Sequence, residues 1–207
     1  MTASTESALR ASDKRRVAAE VALALLEAIQ QQDHPEEVFR DENVSETMPR
    51  RLGLSDVINT QVRLHRENAR KRQKLTDSEL DELMRLVTKR PDAPEIFFEV
   101  GARLANDLTG GAFRVLPGAV RTFVVKRRVS ARLKRLFGRR LVRFVSGPFN
   151  LEGVAGPFAH VDPTGQACQV IAGFCQTALS DALSQETLVV EQACKARGDA
   201  ACRWSSV

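Results

Sequence analysis

Long hydrophobic runs are missing from this 207-residue chain. The first apolar stretch, Val17 to Ile29, is broken by Glu20 and Glu27. No uninterrupted segment approaches the roughly 20 residues that a membrane span needs. The polar start, Met1 to Asp13, also lacks the layout of a secretory leader. A cytoplasmic protein is the expectation, and there four cysteines are thiols or metal ligands sooner than disulfides. Phosphate-binding glycine loops and dinucleotide fingerprints are absent, which argues against a reductase with its own nicotinamide site. The three histidines, His34, His65 and His160, are scattered, and none is paired with a Ser or Cys as a nucleophilic centre needs. With no acid–base pair or cofactor motif to name, an enzyme is the least supported class.

Acidic residues are missing from one long stretch. Between Asp107 and Glu152 lie eleven Lys and Arg residues and no acid, which leaves 20 basic against 26 acidic residues elsewhere. The net charge of +5 is therefore a local patch. Arg127, Arg128, Arg132, Lys134, Arg135, Arg139 and Arg140 are dense enough to contact phosphates or an anionic membrane surface. Aromatic residues among them are sparse (Phe123, Phe137, Phe144), and no helix-turn-helix pattern accompanies them. A solvated amphipathic face is the plainer reading, and nucleic acid, lipid headgroups or a partner protein share the rest.

What is present reads as helices first and a small sheet afterwards. Residues 1–12 have the composition of a disordered tail. Asp13 is placed to cap a helix over 14–32, with Val17, Val21, Leu25 and Ile29 on one face. Leu54, Val57, Ile58 and Val62 suggest a second helix, running into the basic stretch Arg66 to Lys74. Thr76 and Glu79 form a capping box for a third, with Leu80, Leu83, Met84 and Val87 at helical spacing. Pro94 fits the first turn of a fourth, striped with Phe97, Val100, Leu104 and Leu108 and stopped by Gly110-Gly111.

Val125 to Phe137 reads as a basic amphipathic helix closed by Gly138, and Arg140 to Ser146 alternates like a strand. A second strand-like stretch is punctuated by Pro148, Gly153, Gly156 and Pro157. Gln166 to Leu183 is a strongly apolar helix, and Thr187 to Lys195 with Ala201 to Val207 make a hairpin. The fold class is α+β: a tail over 1–12, an N-terminal helical segment over 13–90, and a mixed helix and antiparallel-sheet domain over 91–207.

The last quarter carries the most specific chemistry. In a hairpin turning near Gly198, Cys194 and Cys202 fall opposite each other, so both sulfurs share a face. Glu191, three residues before Cys194, points to that face only if the strand bulges between them. Cys168 comes from the start of the preceding helix. Three thiols and a carboxylate complete a tetrahedral zinc shell, and four protein ligands leave no position for a catalytic water, so the zinc would be structural. The alternative is packed core thiols with Glu191 at the surface. Cys175, seven residues after Cys168 and about 10 Å along the helix, is out of reach and reads as core. His160, eight residues before Cys168, is a minor candidate for an extra ligand.

The run Cys194-Lys-Ala-Arg-Gly-Asp-Ala-Ala-Cys202-Arg-Trp204 follows a helix opening Ala167-Cys-Gln-Val-Ile-Ala-Gly-Phe174. Together they resemble the 4-vinyl-reductase domain family. That family includes the sensor domains of phenol-responsive transcriptional activators and the accessory protein once called bacteriochlorophyll 4-vinyl reductase. It shares a fold with subunits of the TRAPP transport-particle complex. The resemblance runs from about Arg140 to Trp204 and fades toward Pro91. In the phenol sensors the zinc ligands are a Cys, then a Glu, two residues, Cys, seven residues and Cys. Cys168, Glu191, Cys194 and Cys202 stand at those positions. The phenol-contacting His and Trp have no counterpart, so a phenol ligand is not implied.

The resemblance implies a TRAPP-like fold with structural zinc and a mostly apolar small-molecule pocket beside it. Ile171, Phe174 and Leu179 are its candidate lining. The small residues Ala172, Gly173, Ala178 and Ala182 on the same helix leave room for such a ligand or, equally, for close helix packing. Three functions follow as expectations. One is a sensor acting through a homodimer or partner interface, the second an accessory or carrier in tetrapyrrole and bacteriochlorophyll synthesis, and the third a dimerisation scaffold without ligand.

Overall fold

Two residues decide where the first helix begins. Val17–Ala18 form a short strand, β1, antiparallel to β2 (Lys74–Leu75). The backbone N–H groups of Arg16 and Ala19 donate to the carbonyls of Leu75 and Gln73 at 2.9 and 3.1 Å. Helix α1 therefore spans Ala19–Gln32 instead of starting at Lys14, and Val17 reaches the core from a strand. The computed structural model describes residues 14–33, 56–106, 108, 117–147, 149–154 and 158–207. The expected tail, the Asp13 cap, Leu54 and the Gly110-Gly111 stop lie outside the described residues.

Helix α2 (Asp56–Arg70) absorbs the start of the basic stretch. Helix α3 (Asp77–Val87) opens on the expected capping box: Thr76 Oγ1 accepts the Glu79 N–H, and Glu79 Oε2 accepts the Thr76 N–H at 2.7 Å. Helix α4 (Ala93–Ala105) carries Pro94 in its first turn, where a missing N–H costs nothing. It ends short of Leu108, because Asn106 turns extended, yet Leu108 stays buried. Helix α5 (Gly118–Phe137) is longer than the basic stripe suggested and ends at Gly138. There φ is 64°, and a Cβ would run into the Arg16 backbone carbonyl, so only glycine fits.

Strands β3 (Val142–Val145) and β4 (Asn150–Gly153) precede a 3₁₀ turn (Gln166–Cys168) and helix α6 (Gln169–Leu183). Strands β5 (Val189–Ala193) and β6 (Arg203–Ser206) form the terminal hairpin. The sheet is antiparallel throughout, in the order β3-β4-β6-β5. The described residues thus form a mixed α+β fold, with six α-helices and two small antiparallel sheets. No helix among them is long and apolar enough to cross a membrane.

One hydrophobic core joins the N-terminal helices to the later sheet. Val21, Leu25 and Met84 belong to the same cluster as Phe97, Leu133, Phe174 and Trp204. Its tightest seam is between α4 and α6. A Cβ on Gly101 would clash with the Val170 carbonyl, and one on Gly173 with the Phe98 carbonyl. The two helix backbones touch through these glycines, which draws α6 inward and fixes the position of its first residue beside the hairpin.

Candidate metal centre

The loop into α6 is held by one buried carboxylate. Asp162 is 1% exposed; its Oδ1 accepts the Thr164 N–H at 2.9 Å and its Oδ2 the Ala167 N–H at 2.6 Å. This clamp, followed by Gly165 at φ 84°, delivers Cys168 to the end of the 3₁₀ turn. A Cβ on Gly165 would stand 2.7 Å from Cys194 Sγ, so the turn passes directly against the second thiol.

The hairpin supplies the other three residues. Ala193 pairs with Arg203, which continues to Cys194 opposite Cys202, whereas Glu191 pairs with Trp204. The register shift between Glu191 and Ala193 is a β-bulge at Gln192. It is the distortion the spacing required: the extra residue puts Glu191 on the face of Trp204, two residues along from Cys202. The turn is tied by Asp199, whose Oδ2 accepts the Cys194 N–H at 2.7 Å, and by a 3₁₀ turn over Lys195–Arg197.

Cys168, Glu191, Cys194 and Cys202 each bring a donor atom within 4.8 Å of the others. Cys168 Sγ lies 3.8 Å from Cys202 Sγ and 3.7 Å from Cys194 Sγ. A tetrahedron with zinc–sulfur bonds of about 2.3 Å has sulfur–sulfur edges of about 3.8 Å. The three cysteines are fully buried and unbridged. The Glu191 side chain is 3% exposed; Oε2 accepts from Arg197 Nη2 at 2.9 Å, while Oε1 is buried with no partner. An orphaned carboxylate oxygen beside three thiols is what a divalent cation would satisfy, so these residues fit zinc.

The electrostatics agree. Burial raises the Glu191 carboxyl, against the pull of Arg197. The Cys168 thiol is pushed up by its hydrogen bond to Cys202 and by burial, and Cys194 is raised by burial. Cys202 alone is drawn down, to about 6, by the thiol hydrogen bond from Cys168, with help from the Lys195 N–H. Four acidic groups packed together cannot all ionise without a compensating charge, which a cation bound among them would supply. Cys175 is buried outside the cluster, its thiol raised by desolvation. His160 is also elsewhere, with Nε2 3.2 Å from Asp81.

Ile171, Phe174 and Leu179 lie on α6, each at most 2% exposed and packed in the core. Their neighbour Val170 lines an apolar cavity of about 10 Å³ with Phe97, Phe137 and Phe158. Of the basic residues, Arg127, Arg128, Lys134, Arg135 and Arg140 are exposed, and Arg132 and Arg139 are half-buried. Arg132 pairs with Glu20 at 2.8 Å, and Arg128 Nη1 donates to the Leu108 carbonyl at 2.7 Å. Sequence reasoning passed over Asp162 and Asp199, and left Arg197, like Lys195, open as either an outer group of the metal site or a solvated turn charge. The signal for both aspartates was their place beside Pro or Gly in a turn. No family model matches this chain, and no curated protein or solved structure does.

Proposed function

We propose that this chain is a zinc-containing binding module of the 4-vinyl-reductase type, with a TRAPP-like fold. Its zinc is held by Cys168, Glu191, Cys194 and Cys202 and pins the terminal hairpin to α6. The single observation that carries this reading is the closed donor set, four side chains within 4.8 Å. With all four positions taken by protein, the metal contributes folding energy and no hydrolytic water. In this proposal an apolar small molecule enters the core seam at Val170, Phe97, Phe137 and Phe158. A cavity of about 10 Å³ holds no more than one water, so the ligand must part α6 from its neighbours and thereby move a dimer or partner interface.

A second reading, a dimerisation scaffold without ligand, is favoured by the glycine contacts between α4 and α6 and by the full burial of Ile171 and Phe174. Native mass spectrometry of the purified chain separates the two. One zinc per chain with a retained apolar molecule supports the sensor, a retained pigment points to a tetrapyrrole carrier, and a ligand-free dimer supports the scaffold. Less than about half an equivalent of metal, or metal content unchanged by Cys194→Ser and Cys202→Ser, overturns the zinc assignment itself.

A further inference from the structure

Away from the thiols, a cleft of about 390 Å³ opens where β1, the β1–β2 ribbon and the C-terminal part of α5 meet. Its floor is short or apolar: Ala18, Ala19, Ala69 and Leu136. Its charged lining is Arg72, Lys74 and Arg135, with Glu20 as the sole acid among the described lining residues. Glu20 is already taken, since Arg132 holds its Oε2 at 2.8 Å. None of the three cationic side chains has a hydrogen-bond or ion-pair partner among the described residues.

Arg72 is held at the close of α2, where its φ is 53°: its N–H donates to the Ala69 carbonyl at 3.0 Å and the Gln73 N–H to the Asn68 carbonyl at 2.9 Å. A neighbouring cavity of about 480 Å³ shares Arg135 but adds only Arg128 and Arg132, whose guanidinium groups already serve Leu108 and Glu20. Of these two cavities, the first therefore holds the more uncompensated positive charge. We infer that this cleft binds a phosphate-bearing anion, with Arg72, Lys74 and Arg135 donating to its oxygens. Two guanidinium forks and an ammonium suit a multiply charged phosphate or diphosphate group, which a floor of small side chains leaves room to enter.

Such a group comes either from a soluble metabolite or from a lipid headgroup. The test is calorimetric titration of the full chain with inorganic pyrophosphate at low ionic strength, beside co-sedimentation with phosphatidylcholine vesicles with and without phosphatidic acid. Saturable pyrophosphate binding, weakened about tenfold or more by Arg135→Gln and less by Arg72→Gln or Lys74→Gln, supports a soluble ligand. Binding confined to phosphatidic-acid vesicles with the same sensitivity supports a lipid headgroup. Arg85→Gln, on the exposed surface of α3, should leave either unchanged, and thermal melts establish that each variant folds. Absence of saturable binding to both, or an equal loss in Arg85→Gln, overturns the site. So does a single-stranded oligonucleotide that binds as tightly as pyrophosphate, since that marks a general polyanion surface.

Discussion

Arg197 Nη2 meets Glu191 Oε2 at 2.9 Å across the tip of the terminal hairpin, and that one contact leaves the other carboxylate oxygen buried and free to bind. Outer groups that orient a ligand commonly set about 10 to 100-fold of metal affinity. Arg197→Ala should therefore weaken zinc by about that factor while one equivalent still binds at saturation. Competition against a chromogenic chelator measures it. An unchanged affinity would mean that Arg197, half exposed as it is, merely decorates the turn.

Glu191→Ala gives a sharper test of the fourth ligand. It removes the orphaned carboxylate oxygen and leaves the bulge at Gln192 as it is. The three thiols would remain, so zinc should still bind but with a substantial loss of affinity, and Arg197→Ala should add nothing further. Additive losses in the double variant would show that Glu191 and Arg197 do not act as one unit.

How far the chain disclosed this site depends on the range of the interaction. Cys194, Cys202 and the need for a bulge between Glu191 and Cys194 were legible because hairpin register is local and has a period of two; its place at Gln192 came from the structure. The capping box at Thr76 and Glu79 was legible for the same reason. Val17 was assigned correctly to the core but wrongly to a helix, because its strand partner, Leu75, is distant in sequence. Asp162 and Asp199 were missed because their work is done on backbone N–H groups, which only their place beside Pro163 and Gly198 in turns signals. The small residues of α6 left two readings open. The contact of Gly173 with Phe98 supports close packing as one reason for them.

That contact predicts a large penalty for a single methyl group. Gly173→Ala forces the Phe98 carbonyl aside, and Gly101→Ala does the same to Val170, so the helices must separate along their length. Overpacking of this kind costs about 1–3 kcal/mol or somewhat more where backbone must move. Urea denaturation should show the loss for each variant. If either is neutral, α4 and α6 do not approach as closely as their glycines allow.

Acid should loosen the start of α3 in a way that can be separated from the metal site. Hydrogen bonding to the Thr76 N–H, the first cause, holds the Glu79 carboxyl below its ordinary value; the Thr76 hydroxyl and Arg15 act in the same direction against some burial. A carboxylate whose folded pKa is depressed binds fewer protons folded than unfolded, so its contribution is complete above the usual glutamate value near 4.3. It is then lost as pH falls through the lower folded value. Glu79→Gln keeps an acceptor for the cap but cannot titrate, so the difference between the two proteins should shrink from pH 6 to pH 3. Glu79 is 42% exposed, and solvent screening keeps the effect below about 1 kcal/mol. Urea midpoints at a series of pH values, taken with excess chelator so that zinc release does not intrude, would reveal it. A pH-independent difference would show that the carboxylate charge contributes nothing to the cap.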